Sequence, residues 1–194
     1  MIKECIISLK FLLVMSFITG IMYPLLITIL AQSFFPHQAM GSLIKDKGKN
    51  IGSALIGQNF KDKKYFWGRP SASDYASIPS GASNMAVTNK ALKIAFEERK
   101  KIFIKENELS ENTIIPSEML FASASGLDPH VSPESIKLQF KRVIKARNFN
   151  KNQEEKLLQE IEILTEKPTF GLLGENRINV LLLNKRLDGF FSEK

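Results

Sequence analysis

The sequence predicts a mixed α/β (α+β) soluble domain carried behind a single N-terminal transmembrane helix. Three features lead there. From Phe11 to Ile44 the chain has no Asp, Glu, Lys or Arg. From about Gly41 onward it turns polar and mixed in charge, with apolar residues recurring at helical spacing in several stretches. Between those stretches lie short apolar runs of strand length and two segments rich in Gly, Pro and Ser.

The first element is the run "FLLVMSFITGIMYPLLITILAQSFF", about 25 residues, long enough to cross a bilayer as a tilted helix. A cleaved signal peptide is the plainer alternative, with Lys3 and Lys10 as its positive start and Ala31 and Ser33 as small residues before a cut. A signal core is typically about 7–15 residues, and this run is longer, which favours a retained anchor. A lipoprotein does not fit, because the single cysteine, Cys5, precedes the apolar run. Lys10 abuts the span on one side, whereas the first cations on the other are Lys45, Lys47 and Lys49. The positive-inside rule then places the N-terminus inside and the domain outside. The expected organisation is residues 1–10 cytoplasmic, 11–35 transmembrane and 36–194 an extracytoplasmic domain, periplasmic or extracellular, on the inner (cytoplasmic) membrane. Within the span, Ser16, Gly20, Tyr23, Ile27 and Ala31 follow one helical face, where small residues admit a second helix. Pro24 frees the carbonyl of Gly20 and is expected to bend the helix.

After the span, Ser42–Lys45 and Ile51–Gly57 read as two strands joined by a turn at Asp46–Gly48. "FWGRPSASDYASIPSGASN" lacks helical periodicity and reads as a long ordered loop. A helix is expected over Met85–Glu106, with Ala91, Leu92, Ala95, Phe96, Arg99, Ile102 and Phe103 on its apolar stripe. A second loop-rich stretch, "PSEMLFASASGLDPHVSPES", ends in a helix start: Ser132 caps, Pro133 suits the first turn and Glu134 the positive dipole end. That helix runs to about Arg147, with Ile136, Phe140, Val143 and Ile144 on one face, and Lys137, Lys141, Arg142, Lys145 and Arg147 leave it strongly basic. Another follows near Gln153–Thr165, turning Leu157, Ile161 and Leu164 inward. "RINVLLLN" reads as a buried strand, after which Asn184 caps a last short helix at Lys185–Phe191.

The composition excludes several chemistries. The histidines are His37 and His130, and the lone cysteine lies at the membrane end, so no zinc-type cluster can be assembled. There is no GxxxxGK[ST] loop for phosphates. "GRPSAS" and "SASGL" are not the GxSxG elbow of hydrolases. The net charge is +7, of which Lys3, Glu4 and Lys10 account for +1 and the domain for the other +6. No nucleic-acid recognition motif accompanies that charge, which reads as a solvated basic face.

"SASGLDPHVS", residues 123–132, groups serine, aspartate and histidine. A triad needs a base within reach of the serine and a third group orienting that base. Asp128 and His130 flank Pro129 in one turn, which suits a polar scaffold loop better. Gly126 then permits a tight bend, Asp128 and the serines bond backbone amides, and Pro129 stiffens the turn.

"FWGRPSASDY", "SGASN", "SASGLDPHVSPES" and "INVLLLN" occur here in one order, and together they resemble the small C chain of the bacterial Kdp potassium-transporting ATPase. The resemblance runs from the apolar span to "NKRLD". Two departures are Ala82, where a second glycine is expected, and the stretch "FGLLGENRINV" before and around Asn179. The resemblance implies a non-catalytic subunit of a four-subunit pump. Its partners would be a channel-like potassium-binding subunit, a P-type ATPase subunit that forms the aspartyl phosphate, and a very small subunit, all in membrane lipid and without nucleic acid. The family's C chain is described as a catalytic chaperone that raises the ATP affinity of the ATPase subunit. ATP would be used by the complex and potassium transported, with no cofactor held by this chain.

Carried onto this sequence, the structural or docking motifs are Arg69, Pro70 and Ser71 as a first group and Ser80, Gly81, Ser83 and Asn84 as a second. Ser123, Ser125, Gly126, Asp128, Pro129 and His130 form the third, followed by Asn179 and Asn184. A +6 domain would not concentrate potassium by attraction, so a rigid cap at the outer mouth of the potassium-binding subunit fits better. Two other classes stand beside this one. One is a membrane-anchored exterior serine hydrolase using Ser123 or Ser125 with His130, and the other an anchored binding module with an unrelated partner.

Overall fold

The structure is a computed structural model that describes residues 2–46 and 48–191, with side chains described through residue 189. The chain divides into two compact units, residues 1–53 and 54–194.

In the first unit, helix α1 (Ile2–Phe17) passes through a wide π turn (Ile18–Met22) into α2 (Tyr23–Phe34). The whole stretch Ile2–Phe34 is long and apolar enough to cross a membrane, and none of its residues is buried in the protein. The helix therefore begins well before Phe11 and takes in Lys3, Glu4 and Lys10. Pro24 has no N–H to offer the Gly20 carbonyl, and the chain widens there: the Tyr23 N–H bonds the Ile18 carbonyl, five residues back. The wide turn adds one residue to the count, which offsets the Ser16–Gly20 stripe from the Tyr23–Ile27–Ala31 stripe. Thr19 and Thr28 return their hydroxyls to the carbonyls of Met15 (2.7 Å) and Pro24 (2.8 Å), so neither is left unpaired on an apolar surface.

A short α3 (Pro36–Ala39) leads to the antiparallel hairpin of β1 (Leu43–Asp46) and β2 (Lys49–Ser53). The hairpin lies where the sequence places it, although Lys47 of its turn is outside the described residues. The second strand stops at Ser53 instead of Gly57. Gly57 is drawn off by another partner, its N–H bonding the Leu127 carbonyl at 2.7 Å.

The second unit is a mixed α+β body. From residue 54 to 89 it has neither helix nor strand. Helix α4 (Lys90–Glu106) starts later than Met85, because Asn89 accepts the Ala91 N–H at 2.8 Å and fixes the first turn. Of its expected stripe only Phe103 is fully buried, and Ile102 is 54% exposed. A 3₁₀ turn (Ser117–Met119) and the loop beyond it lead to β3 (His130–Val131). Helix α5 (Pro133–Arg147) has the expected start, with the Ser132 hydroxyl accepting the Ser135 N–H at 3.2 Å, and it ends on Asn148 in the left-handed region. Helix α6 (Lys151–Ile163) opens with a capping box between Asn150 and Gln153 and is followed by β4 (Thr165–Glu166).

"RINVLLLN" is not one strand. Only Arg177–Asn179 is extended, as β5, and α7 runs from Val180 to Phe191. Asn179 makes the switch by accepting the Leu182 N–H at 3.1 Å. Asn184 therefore lies inside the helix, fully buried, instead of capping one. Val180, Leu183 and Leu187 repeat at helical spacing and all are buried, a signal that the continuous apolar run masks.

Strand order is β3-β5-β4, antiparallel throughout, with His130 opposite Asn179 and Glu166 opposite Arg177. Central Ile178 is completely buried, and α7 packs against both β5 and α6. Phe66, Ile136, Val143, Leu157 and Leu183 complete the core. The helix α5 face is less apolar than its spacing implies: Ile136 and Val143 are buried, but so are Ser135, Gln139 and Arg142.

Candidate functional site

The long coil at 54–89 has no ladder of its own, so its buried backbone groups need partners elsewhere. Side chains of α5 and α7 supply them. The Gln139 carbonyl oxygen accepts the Trp67 N–H at 2.7 Å, and its amide donates to the carbonyls of Trp67 and Ser135, each at 3.2 Å. Asn184 brackets Phe66 in the same manner, accepting its N–H and donating to its carbonyl, both at 2.9 Å. Arg142 donates to the carbonyls of Lys63 (2.6 Å) and Tyr65 (2.9 Å), to Asn107 (2.9 Å) and to Gln139 (2.8 Å). Its guanidinium lies 4.1 Å from the centre of the Trp67 ring. Burial lowers its pKa to about 10, with the negative charges of Glu106 and Asp62 opposing the drop, so it stays charged at neutral pH. Arg142 therefore belongs to the interior, although it is one of the cations that make this helix basic. The signal was present in the spacing of Ser135, Gln139 and Arg142, which share one helical face.

A second junction joins the sequence motifs. Gly126 sits at φ +70°, and a Cβ there would lie 2.7 Å from the Ser73 hydroxyl, 2.9 Å from the Gly81 carbonyl oxygen and 3.2 Å from the Ser71 hydroxyl. Three separately recognisable segments thus meet at one buried glycine. The Ser71 hydroxyl accepts the N–H groups of Ser73 (3.2 Å) and Tyr75 (2.8 Å), and the Tyr75 hydroxyl donates to the Arg69 carbonyl. The Ser123 N–H bonds the Pro70 carbonyl at 3.1 Å, and the Val180 N–H bonds the Pro129 carbonyl at 2.9 Å. Asn179 reaches back to the Ala54 carbonyl at 2.7 Å. Ser80, Ser83 and Asn84 stay exposed, with Asn84 at φ +50°.

Asp128 is the charged centre of this junction. One carboxylate oxygen takes the Arg69 guanidinium at 2.8 Å; the other accepts the His130 N–H at 3.0 Å and lies 3.5 Å from its Nδ1. Burial pushes the carboxyl up, but the hydrogen bonds from His130 and Arg69 and the Arg69 charge outweigh it and hold the pKa at about 2. His130 Nε2 faces Glu166 at 4.0 Å, and Glu166 in turn holds Arg177 at 2.8 Å. A polar cleft of about 350 Å³ beside it is lined by Arg69, Glu118, Asp128, His130 and Arg177. The Ser125 hydroxyl accepts the Leu127 N–H at 3.1 Å, and Ser123 is 2% exposed. Neither serine bonds His130 among the described residues. Among those residues no three His, Cys, Asp or Glu side chains are grouped to hold a metal ion. A separate groove of about 630 Å³ is lined by Phe60, Trp67, Tyr75, Ile102 and Met119.

What the fold and the junction define is a small α+β unit, preceded by one long apolar helix, in which loops are locked by side chains. Comparison with known proteins says which such unit this is. Residues 5–189 match the family described as "K+-transporting ATPase, c chain". The chain is 49% identical over 185 residues to the potassium-transporting ATPase KdpC subunit of Leptospira interrogans, covering 95% of this chain and 93% of that one. It is 44% identical to the subunit of that name in Sorangium cellulosum (94% and 95% covered) and 44% identical to the one in Bradyrhizobium diazoefficiens (97% and 98%). The chain belongs to the K+-transporting ATPase c chain family.

Proposed function

We propose that the protein is a non-catalytic accessory subunit of an ATP-driven potassium pump, anchored by its N-terminal helix in the inner membrane with the 54–194 unit outside. Its relatives are named subunits of a potassium-transporting ATPase, which motivates partners in a complex: a potassium-binding subunit, a P-type ATPase subunit and a very small subunit. The observation that carries the non-catalytic reading is the Gly126 junction. There the polar groups of the Ser–Asp–His decade are engaged in holding the backbone: Ser125 with Leu127 and Asp128 with His130 inside the loop, and Asp128 with Arg69 across loops. A rigid unit of this kind serves as a docking cap at the outer mouth of the potassium-binding subunit.

An outside unit does not share a compartment with cytoplasmic ATP. Any rise in the ATP affinity of the ATPase subunit then travels through membrane helices as a coupling free energy, typically about 1–3 kcal/mol. Purification in mild detergent tests the reading. A P-type ATPase is expected to co-isolate with the chain, and a serine-directed probe is expected to leave Ser123 and Ser125 unmodified. A solitary protein that reacts with the probe at either serine would instead make it an exterior hydrolase. A solitary, unreactive protein would make it a binding module with another partner.

A further inference from the structure

The loop joining β4 to β5 presents a second kind of surface. At its base Arg177 grips the Glu166 carboxylate through Nε (2.9 Å) and Nη2 (2.8 Å). At its tip Thr169 and Leu173 exchange backbone hydrogen bonds of 2.8 and 3.0 Å, and the Gly171 N–H bonds the Pro168 carbonyl at 2.9 Å. The loop is thus closed by its own backbone and pinned at its root. It nevertheless holds Phe170, Leu172 and Leu173 in water, at 89%, 86% and 64% exposure. Phe170 has φ +55°, a conformation that a bulky residue adopts only under strain, and it is followed by Gly171 at φ +74° and Gly174 at φ +92°. Among the described residues Phe170 is neither part of the core nor one of the hydrophobic side chains packed against it, so core packing does not account for that strain.

We propose that the Pro168–Gly174 tip is a docking finger, its Phe170, Leu172 and Leu173 side chains seating in an apolar socket on another subunit of the same pump. This rests on the accessory-subunit reading. A protein socket is favoured over a lipid surface on two grounds. A fluid bilayer has no use for a strained, backbone-closed tip, whereas a shaped socket rewards one that is already in its bound geometry. Membrane-surface segments also carry a surplus of cations, but here Glu166 and Arg177 pair, and Lys167 and Glu175 offset each other.

The test uses the full chain co-expressed with its partner subunits, with the affinity tag on the ATPase subunit. Phe170→Ser with Leu172→Ser is expected to cut recovery of the chain at least tenfold, with its melting temperature unchanged, while Phe170→Leu is expected to be recovered like wild type. Equal recovery of the double variant would overturn the finger. So would a blue shift of an environment-sensitive dye on Phe170→Cys, with Cys5→Ser, when the chain sits alone in phosphatidylcholine–phosphatidylglycerol vesicles, because the tip would then be seated in lipid. If wild-type chain is not recovered with the ATPase subunit at all, the accessory-subunit reading falls, and this inference with it.

Discussion

Gly126 shows how a single residue decides the fold of the loops. Its left-handed backbone disfavours a side chain, and the space a Cβ would need is taken by Ser73, Ser71 and the Gly81 carbonyl. Gly126→Ala is expected to destabilise the protein by roughly 2 kcal/mol or more, read as a fall in melting temperature of about 4 °C or more. Gly189→Ala is the matched control: nothing lies within 4 Å of its Cβ position, and its backbone is helical. That variant should melt at or slightly above wild type, because alanine is the better helix former. Residue-level features were legible in the sequence where their partners are local. The Ser132–Pro133–Glu134 start needed only its own first turn. The buried role of Arg142 was not legible because the carbonyls it satisfies, on Lys63 and Tyr65, lie 79 and 77 residues away in the chain.

At the scale of elements, the helices with clear caps and one apolar face were legible, and the failures share a cause. In a run such as "INVLLLN" the unbroken apolar stretch Val180–Leu183 shows no period by itself, and the Asn179 side-chain bond marks where strand becomes helix. The N-terminal helix shows the same sensitivity. Pro24 was expected to bend it, and the chain answers with a wide turn at Ile18–Met22 that contains Gly20. The Cβ position of Gly20 has no atom within 4 Å, so a partner helix can approach the backbone there. Gly20→Leu is expected to lower recovery of the assembled pump more than Ile21→Leu does, because a bulky side chain at Gly20 pushes a neighbour away. Equal recovery of the two variants would mean that the surface at Gly20 meets only lipid.

For the molecule as a whole, the sequence showed the division into an apolar helix and an α+β unit, because charge and hydropathy change together near Gly41. It did not show the junction at Gly126, since there two parts of the first loop, at Ser71–Ser73 and Gly81, meet a loop far along the chain, and none has a period to read. The same holds for the finger at Pro168–Gly174, which looked like an altered stretch of motif and proved to be an ordered turn with its apolar side chains outside. Both features belong to the unit proposed to act by shape on neighbouring subunits, a role that depends on which side of the membrane the unit occupies. The most direct measurement is labelling of a single cysteine at Glu155, an exposed position on α6, after replacement of Cys5. In intact spheroplasts a membrane-impermeant thiol reagent is expected to label Glu155→Cys fully, as it must if the unit lies outside and never meets nucleotide. Labelling only after lysis would place the unit in the cytoplasm and contradict the account.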